Sequence, residues 1–136
     1  MPASLKFVLF LLGLAALATP VAIAVIEEQD MRQARTTAEQ LSHGDADAGK
    51  AAILRYGCGA CHQIEGVSGA EGRVGPSLKG FGVRTEIAGR LANGPDELIR
   101  WLRHPQQVDP GNGMPDQNVS ARDARNMAAY LYTLRR

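Results

Sequence analysis

Two cysteines and a histidine form the most reactive cluster in this sequence. Cys58 and Cys61 are separated by two residues, and His62 follows directly. In the pattern C-x-x-C-H, each thiol can add to a haem vinyl group to form a thioether, and the adjacent histidine is placed to ligate the iron. The segment Cys58-Gly59-Ala60-Cys61-His62 therefore predicts one covalently bound haem c per chain.

The same two cysteines have other interpretations. A thioredoxin-like redox pair requires a βαβ context, which the sequence pattern does not provide. A zinc site needs two further ligands, and His43 and His104 have poor spacing for that role. A structural disulfide between Cys58 and Cys61 stays open as the alternative to haem attachment.

A haem ligated by His62 alone leaves its sixth position open. The residues able to fill it are Met31, Met114, Met127, His43 and His104. Met127 falls on the apolar face of the last predicted helix, where methionine usually packs in a core. Met114 lies in the Pro/Gly-rich segment 109–115, outside any predicted helix, so it does not belong to the apolar face of a helix. We predict Met114 as the ligand, with His104 as the main alternative.

Three helices are predicted around these residues. Asp47 is expected to cap the first, which ends at Gly57 where the haem motif begins. The second starts at Pro95 and stops before Pro105. A capping box at residues 120–123 opens the last, whose predicted apolar face is Ala124, Met127, Ala128, Leu131 and Leu134.

The segments between these helices carry weaker signals. Residues 66–82 are rich in glycine and are expected to form a loop around something rigid. Residues 85–90 are compatible with a fourth, short helix. Because no strand pattern is convincing, the predicted fold class is all-α, with three to four helices and an additional N-terminal hydrophobic helix.

The N-terminal part of the chain divides into two segments ahead of the predicted haem domain, residues 44–136. Residues 7–26 carry no charge and are long enough to span a bilayer. The segment 1–26 is therefore interpreted as a membrane anchor, or alternatively as a signal segment cleaved near Ala22-Ile23-Ala24. Residues 27–43 are polar and helix-favouring, and we predict that they form a tether.

Composition excludes some function classes. The net charge is only +1, so nucleic acid is not an expected partner. Aromatic residues make up 5% of the chain, which predicts a thin core unless a cofactor helps to fill it.

These residues together resemble the class I cytochromes c over nearly all of residues 44–136. The resemblance rests on the haem motif, Gly75-Pro76-Ser77-Leu78, Trp101-Leu102 before Pro105, Pro110-Gly111 with Met114-Pro115, and Tyr130-Leu131. It implies a small cytochrome c fold around a His/Met-ligated haem, and electron transfer without a small-molecule substrate.

The resemblance also implies roles for individual residues. Pro76 resembles the proline whose carbonyl accepts a hydrogen bond from the proximal histidine. Arg84 is similar to the family's arginine near a haem propionate. Trp101 occupies the place of a haem-lining aromatic residue, although packing in the core would explain it equally well.

A narrower resemblance links the haem motif and the segment 101–115 to cytochrome c domains associated with bacterial haem-copper oxidases. It implies a quinol-oxidising complex as donor and a haem-copper oxidase as acceptor in a respiratory chain. The expected location is the bacterial inner membrane, with the haem domain in the periplasm, or the soluble periplasm if the leader is cleaved. The alternative function is a five-coordinate haem c enzyme or gas-binding protein.

Overall fold

The computed structural model describes residues 2–136, which divide into two compact units; the first ends at Gln33 and the second begins at Ala34. The first helix, α1 (Ala3–Ser42), contributes the helical residues of the first unit and continues into the second. It is long and apolar enough to cross a membrane, a property that N-terminal signal sequences share. Pro20 lies inside it, as transmembrane helices tolerate.

The second unit begins in the last turns of α1, ahead of the predicted domain start at Gly44. Ala38 and Ser42 are buried there. Glu39 accepts a hydrogen bond from the backbone N–H of Ala46 at 3.1 Å, at the start of the next helix. These contacts make residues 34–42 part of the packed unit.

The centre of this unit is the crossing of α2 (Ala46–Arg55) with α5 (Ala121–Thr133). A Cβ atom added to Gly49 would lie 1.9 Å from the carbonyl oxygen of Asn126, so only glycine permits this approach. The predicted apolar face of α5 is confirmed: Ala124, Met127, Ala128 and Leu131 are buried, as is Leu134 directly after the helix.

The predicted caps are confirmed for α5 and wrong for α2. Ser120 accepts a hydrogen bond from the N–H of Asp123 at 3.1 Å and is the N-cap of α5. In α2 the N-cap is Asp45, which accepts from the N–H of Ala48 at 2.7 Å. Asp47 lies within the first turn and instead binds Arg35 of α1.

The next helix, α3 (Pro95–Arg103), begins as predicted with Pro95 in its first turn. Pro105 ends α3 but also opens a further short helix, α4 (Pro105–Val108). Proline suits the starts of both α3 and α4, because a residue in the first turn of a helix does not need to donate a backbone N–H.

The short helix predicted at residues 85–90 is wrong, because this segment forms a hairpin. Strand β1 (Glu86–Ile87) pairs antiparallel with β2 (Leu91–Ala92). Ala88 and Gly89 have φ values of 52° and 64° at its turn, a left-handed conformation that a helix cannot accommodate. The all-α fold class nevertheless holds, since β1 and β2 are the only two strands among residues 2–136.

The glycine-rich segment 66–82 is the predicted loop, closing with a 3₁₀ turn at Phe81–Val83. A second 3₁₀ turn, Cys58–Ala60, carries the haem motif. A Cβ atom added to Gly72 would lie 2.4 Å from the carbonyl oxygen of Ala60. One added to Gly59 would lie 2.8 Å from Cα of Ala70. The loop is therefore packed tightly against the segment that bears the cysteines.

Candidate functional site

The helices and loops of the second unit surround a cavity of about 740 Å³, a size typical of sites that hold a cofactor. Its walls are mainly apolar and come from α2, α3, α5, the hairpin, and the loops that carry His62 and Met114. Ile53, Leu98, Leu102, Met127 and Leu131 belong both to this wall and to the hydrophobic core. The core thus encloses a space instead of filling it, in keeping with the low aromatic content.

All the residues predicted for the site line this one cavity. They are Cys58, Cys61, His62, Pro76, Arg84, Trp101 and Met114. These seven residues are separated by up to 56 positions in the sequence, from Cys58 to Met114.

The imidazole of His62 has a fixed orientation. Its Nδ1 atom lies 2.7 Å from the carbonyl oxygen of Pro76. Since a carbonyl oxygen only accepts, Nδ1 carries the proton and donates it in this hydrogen bond. The lone pair is then on Nε2, which is the form of histidine that ligates a metal.

Gly75 provides the space for this histidine. A Cβ atom at position 75 would lie 2.3 Å from Cε1 of His62, closer than any real contact. The N–H of Gly75 donates to the carbonyl oxygen of Cys61 at 2.8 Å. The loop before Pro76 is therefore held directly against the haem motif, and glycine is required at this point of contact.

Cys58 and Cys61 are free, half-buried thiols at the cavity wall. Burial raises the pKa of the Cys58 thiol. A redox-active cysteine requires a thiolate of lowered pKa, so the burial of Cys58 does not favour thioredoxin-like chemistry at this thiol. The described residues also hold no group of three or more His, Cys, Asp or Glu side chains arranged for a metal ion.

The structure separates the residues that could supply the second iron ligand by their positions. Met114 and Met127 line the cavity. Met127 is fully buried in the core, whereas Met114 is half-buried in the loop. His43 and His104 are not part of the cavity wall, and Met31 lies in the first unit.

Arg84 lines the cavity but also serves the loop beside it. Its Nη2 atom donates to the carbonyl oxygens of Ser77 and, at 2.9 Å, Lys79. Its guanidinium lies 5.7 Å from the ring centroid of Phe81. These contacts hold the arginine at the cavity wall, and its role toward a propionate stays a prediction.

Trp101 on α3 is half-buried, lines the cavity, and packs against the core. Both of its predicted roles, lining the cofactor and filling the core, are compatible with this position.

The residues present fit a haem group. The cavity is predominantly apolar, as a porphyrin requires, and two thiols on and beside one 3₁₀ turn are suited to thioether formation. An imidazole with a free Nε2 and two thioether side chains supply donors of the kind that haem iron binds.

The cytochrome c family model matches residues 46–135. This chain belongs to the cytochrome c family. As a cytochrome c it carries covalently attached haem c.

Curated relatives of this cytochrome c include cytochrome c oxidase subunits 2. It is 35% identical over 91 residues to cytochrome c oxidase subunit 2 of Alkalihalophilus pseudofirmus, a match that covers 66% of this chain and 26% of the relative. It is 28% identical over 106 residues to the Bacillus subtilis subunit 2, a match that covers 76% of this chain and 29% of the relative. The chain thus spans little more than a quarter of these curated relatives. No solved structure matches it with comparable significance.

Two residues that bind the backbone of Met114 were not predicted from the sequence. The side chain of Asn112 accepts from the N–H of Met114 at 2.7 Å, and Gln106 donates to its carbonyl oxygen at 2.7 Å. A signal existed for the first, because asparagine in a Gly-rich turn commonly binds a backbone group two residues ahead. Nothing in the sequence marks Gln106 over its neighbour Gln107.

Proposed function

We propose that this cytochrome c passes single electrons in a respiratory chain through a haem held by Cys58, Cys61, His62 and Met114. The observation that carries the proposal is that His62 and Met114 line the same cavity. Because Nδ1 of His62 donates to the carbonyl oxygen of Pro76, Nε2 is left free. When bound, the haem supplies an iron that alternates between Fe(II) and Fe(III).

The residues of this chain set the conditions for that chemistry. Cys58 and Cys61 anchor the group, while Pro76 holds the imidazole of His62 in one tautomer and orientation. The thioether of Met114 is a soft, neutral donor, which favours the reduced iron and raises the potential. The wall from α2, α3 and α5 is mainly apolar and offers few dipoles that would reorient, so little reorganisation is expected to accompany a change of charge.

We further propose a haem-copper oxidase as the electron acceptor and a quinol-oxidising complex as the donor. Support comes from the relatives, which are cytochrome c oxidase subunits 2. The cytochrome would be either a carrier or a fixed subunit. Isolation of the tagged full-length protein from its native membranes in mild detergent tests this: oxidase subunits and copper in stoichiometric amount indicate a fixed subunit.

The proposed location is the bacterial inner membrane, with α1 as anchor and the haem domain in the periplasm. The apolar N-terminal part of α1 supports anchoring. An intact mass of the purified protein tests two points at once. A mass equal to the full chain plus one haem supports an anchored cytochrome, whereas loss of about the first 24 residues indicates a cleaved leader.

The rival function is a five-coordinate haem enzyme or a gas-binding protein, and the optical spectrum distinguishes the two. A His/Met-ligated haem shows a sulfur-to-iron charge-transfer band when oxidised and binds carbon monoxide poorly when reduced. Absence of the band, together with ready binding of carbon monoxide, contradicts the electron-carrier proposal.

A further inference from the structure

The loop that carries Met114 has neither helical nor extended structure, so its peptide groups need partners from elsewhere. Two side-chain amides provide them. One belongs to Gln106, on the short helix α4, and the other to Asn112, within the loop itself.

Gln106 binds the loop with both ends of its amide. Its Nε2 atom donates to the carbonyl oxygens of Asn112 at 2.9 Å and Met114 at 2.7 Å. Its Oε1 atom accepts from the N–H of Gly111 at 3.1 Å. Only this orientation of the amide works, because the reverse would place oxygen against two carbonyls and nitrogen against an N–H donor.

Asn112 completes the arrangement. Its Oδ1 atom accepts from the N–H of Met114 at 2.7 Å. Its Nδ2 atom donates to the carbonyl oxygens of Pro105 at 2.9 Å and Asp109 at 2.6 Å. Since Pro105 is fully buried, Asn112 ties the loop to the packed part of the molecule.

Both backbone polar groups of Met114 are therefore held by side chains: its N–H by Asn112 and its carbonyl oxygen by Gln106. A further contact joins α4 to the segment after Met114: the side chain of Asp116 accepts a hydrogen bond from the backbone N–H of Gln106 at 3.4 Å. We call Gln106 and Asn112 the amide clamp.

We propose that Gln106 and Asn112 are positioning residues that keep the Met114 thioether at its ligating place, chiefly in the oxidised protein. The inference rests on the proposed function, since it takes Met114 as the ligand. A soft thioether binds Fe(III) less strongly than Fe(II), so the oxidised state depends more on a loop that is already in place. The clamp supplies that order without contacting the sulfur.

The test is a titration of the oxidised full-length holoprotein with imidazole, which competes with a methionine ligand. The Gln106→Glu side chain keeps nearly the same shape and the acceptor for Gly111, but lacks both N–H donors. We expect imidazole to bind this variant at least about tenfold more tightly, because each lost hydrogen bond corresponds to a factor of several. Gln107→Glu is the matched control, since it makes the same exchange at an exposed neighbour in α4.

A second control separates positioning from general stability. Ser120→Ala removes the cap of α5 and lowers the thermal midpoint without touching the clamp. We expect its imidazole affinity to equal that of the wild type. An increase in Ser120→Ala as large as that in Gln106→Glu would show that loss of stability explains the effect and would overturn the proposal.

Asn112→Asp provides an independent variant, because it keeps the acceptor for Met114 and loses the donors to Pro105 and Asp109. We expect tighter imidazole binding here too. If both variants bind imidazole as Gln107→Glu does, the clamp is refuted while the electron-carrier function stands. If the wild type itself lacks the sulfur-to-iron band, the proposed function fails first.

If neither variant folds, hydrogen exchange in the wild type tests whether the amide clamp is closed in solution. The amide of Met114 must exchange more slowly than that of the exposed neighbouring Gly113. Equal exchange rates would mean that the clamp is not closed in solution and would overturn the proposal.

Discussion

The carbonyl oxygen of Pro76 accepts a hydrogen bond from Nδ1 of His62 at 2.7 Å, and this contact depends on the residue just before the proline. A Cβ atom on Gly75 would lie 2.3 Å from Cε1 and 2.7 Å from Nδ1 of the same imidazole. The tautomer of His62 and the absence of a side chain at position 75 are therefore parts of one arrangement.

Gly75→Ala should displace His62 and lower the yield of correctly ligated holoprotein several-fold. The added methyl group overlaps the imidazole, and the hydrogen bond from Gly75 to Cys61 keeps the loop from moving away. The measurement is the ratio of haem absorbance to protein, with the low-spin spectrum as second readout. Gly113→Ala is the control, because no atom lies within 4 Å of its added Cβ; equal effects of the two variants would contradict the explanation.

Asp123→Asn should destabilise the protein by about 1–2 kcal/mol at pH 7. The Ser120 hydroxyl, then Tyr56 and Arg55, hold the pKa of Asp123 below its usual value, against an opposing effect of burial. A carboxylate with a lowered folded-state pKa contributes stability that is complete above its unfolded pKa of about 3.9 and is lost as the pH falls through the folded value.

Urea unfolding at pH 7 and at successively lower pH checks this dependence. The difference between wild type and Asp123→Asn should shrink below about pH 4. Asp96→Asn is the control, since Asp96 is exposed in the first turn of α3. A difference that does not change with pH would show that the charge of Asp123 is not the cause.

A fragment starting at residue 44 should be less stable than one starting at residue 34. The shorter fragment loses the buried Ala38 and Ser42, and it exposes the N–H of Ala46 that Glu39 accepts from. We expect the thermal midpoint to fall by several degrees, because 1 kcal/mol corresponds to about 4–8 °C for a domain near this size. Equal midpoints would support the predicted tether, residues 27–43, as a segment outside the folded domain.

The parts of the fold that the sequence predicts well depend on local chemistry. Ser120 caps α5, and Pro95 opens α3, because both signals act within one helical turn. The choice of Asp45 over Asp47 as the cap of α2 was not predictable in this way. The carboxylate of Asp47 binds Arg35, which lies 12 residues earlier in the chain, and so it does not cap α2.

The same distinction applies to the site. C-x-x-C-H is contiguous, and Met114 stands out because its segment does not have a helical pattern, so the residue order alone is enough to predict both as parts of the site. The hairpin at residues 86–92 was missed because Ala88 adopts a positive φ that nothing about alanine indicates. The amide clamp was missed because Gln106 differs from Gln107 only in where α4 points it.

Replacing each of the two cavity methionines by leucine should have opposite consequences. Leucine is close to methionine in volume, so packing changes little at either position, but it has no sulfur. Met127 is fully buried among core side chains, and Met127→Leu should keep the sulfur-to-iron band and cost less than about 1.5 kcal/mol. Met114→Leu should lose the band, bind carbon monoxide readily when reduced, and have a lower potential, because the soft axial ligand is gone. Optical spectra and a redox titration of both variants check this, and the reverse pattern would assign the ligand to Met127.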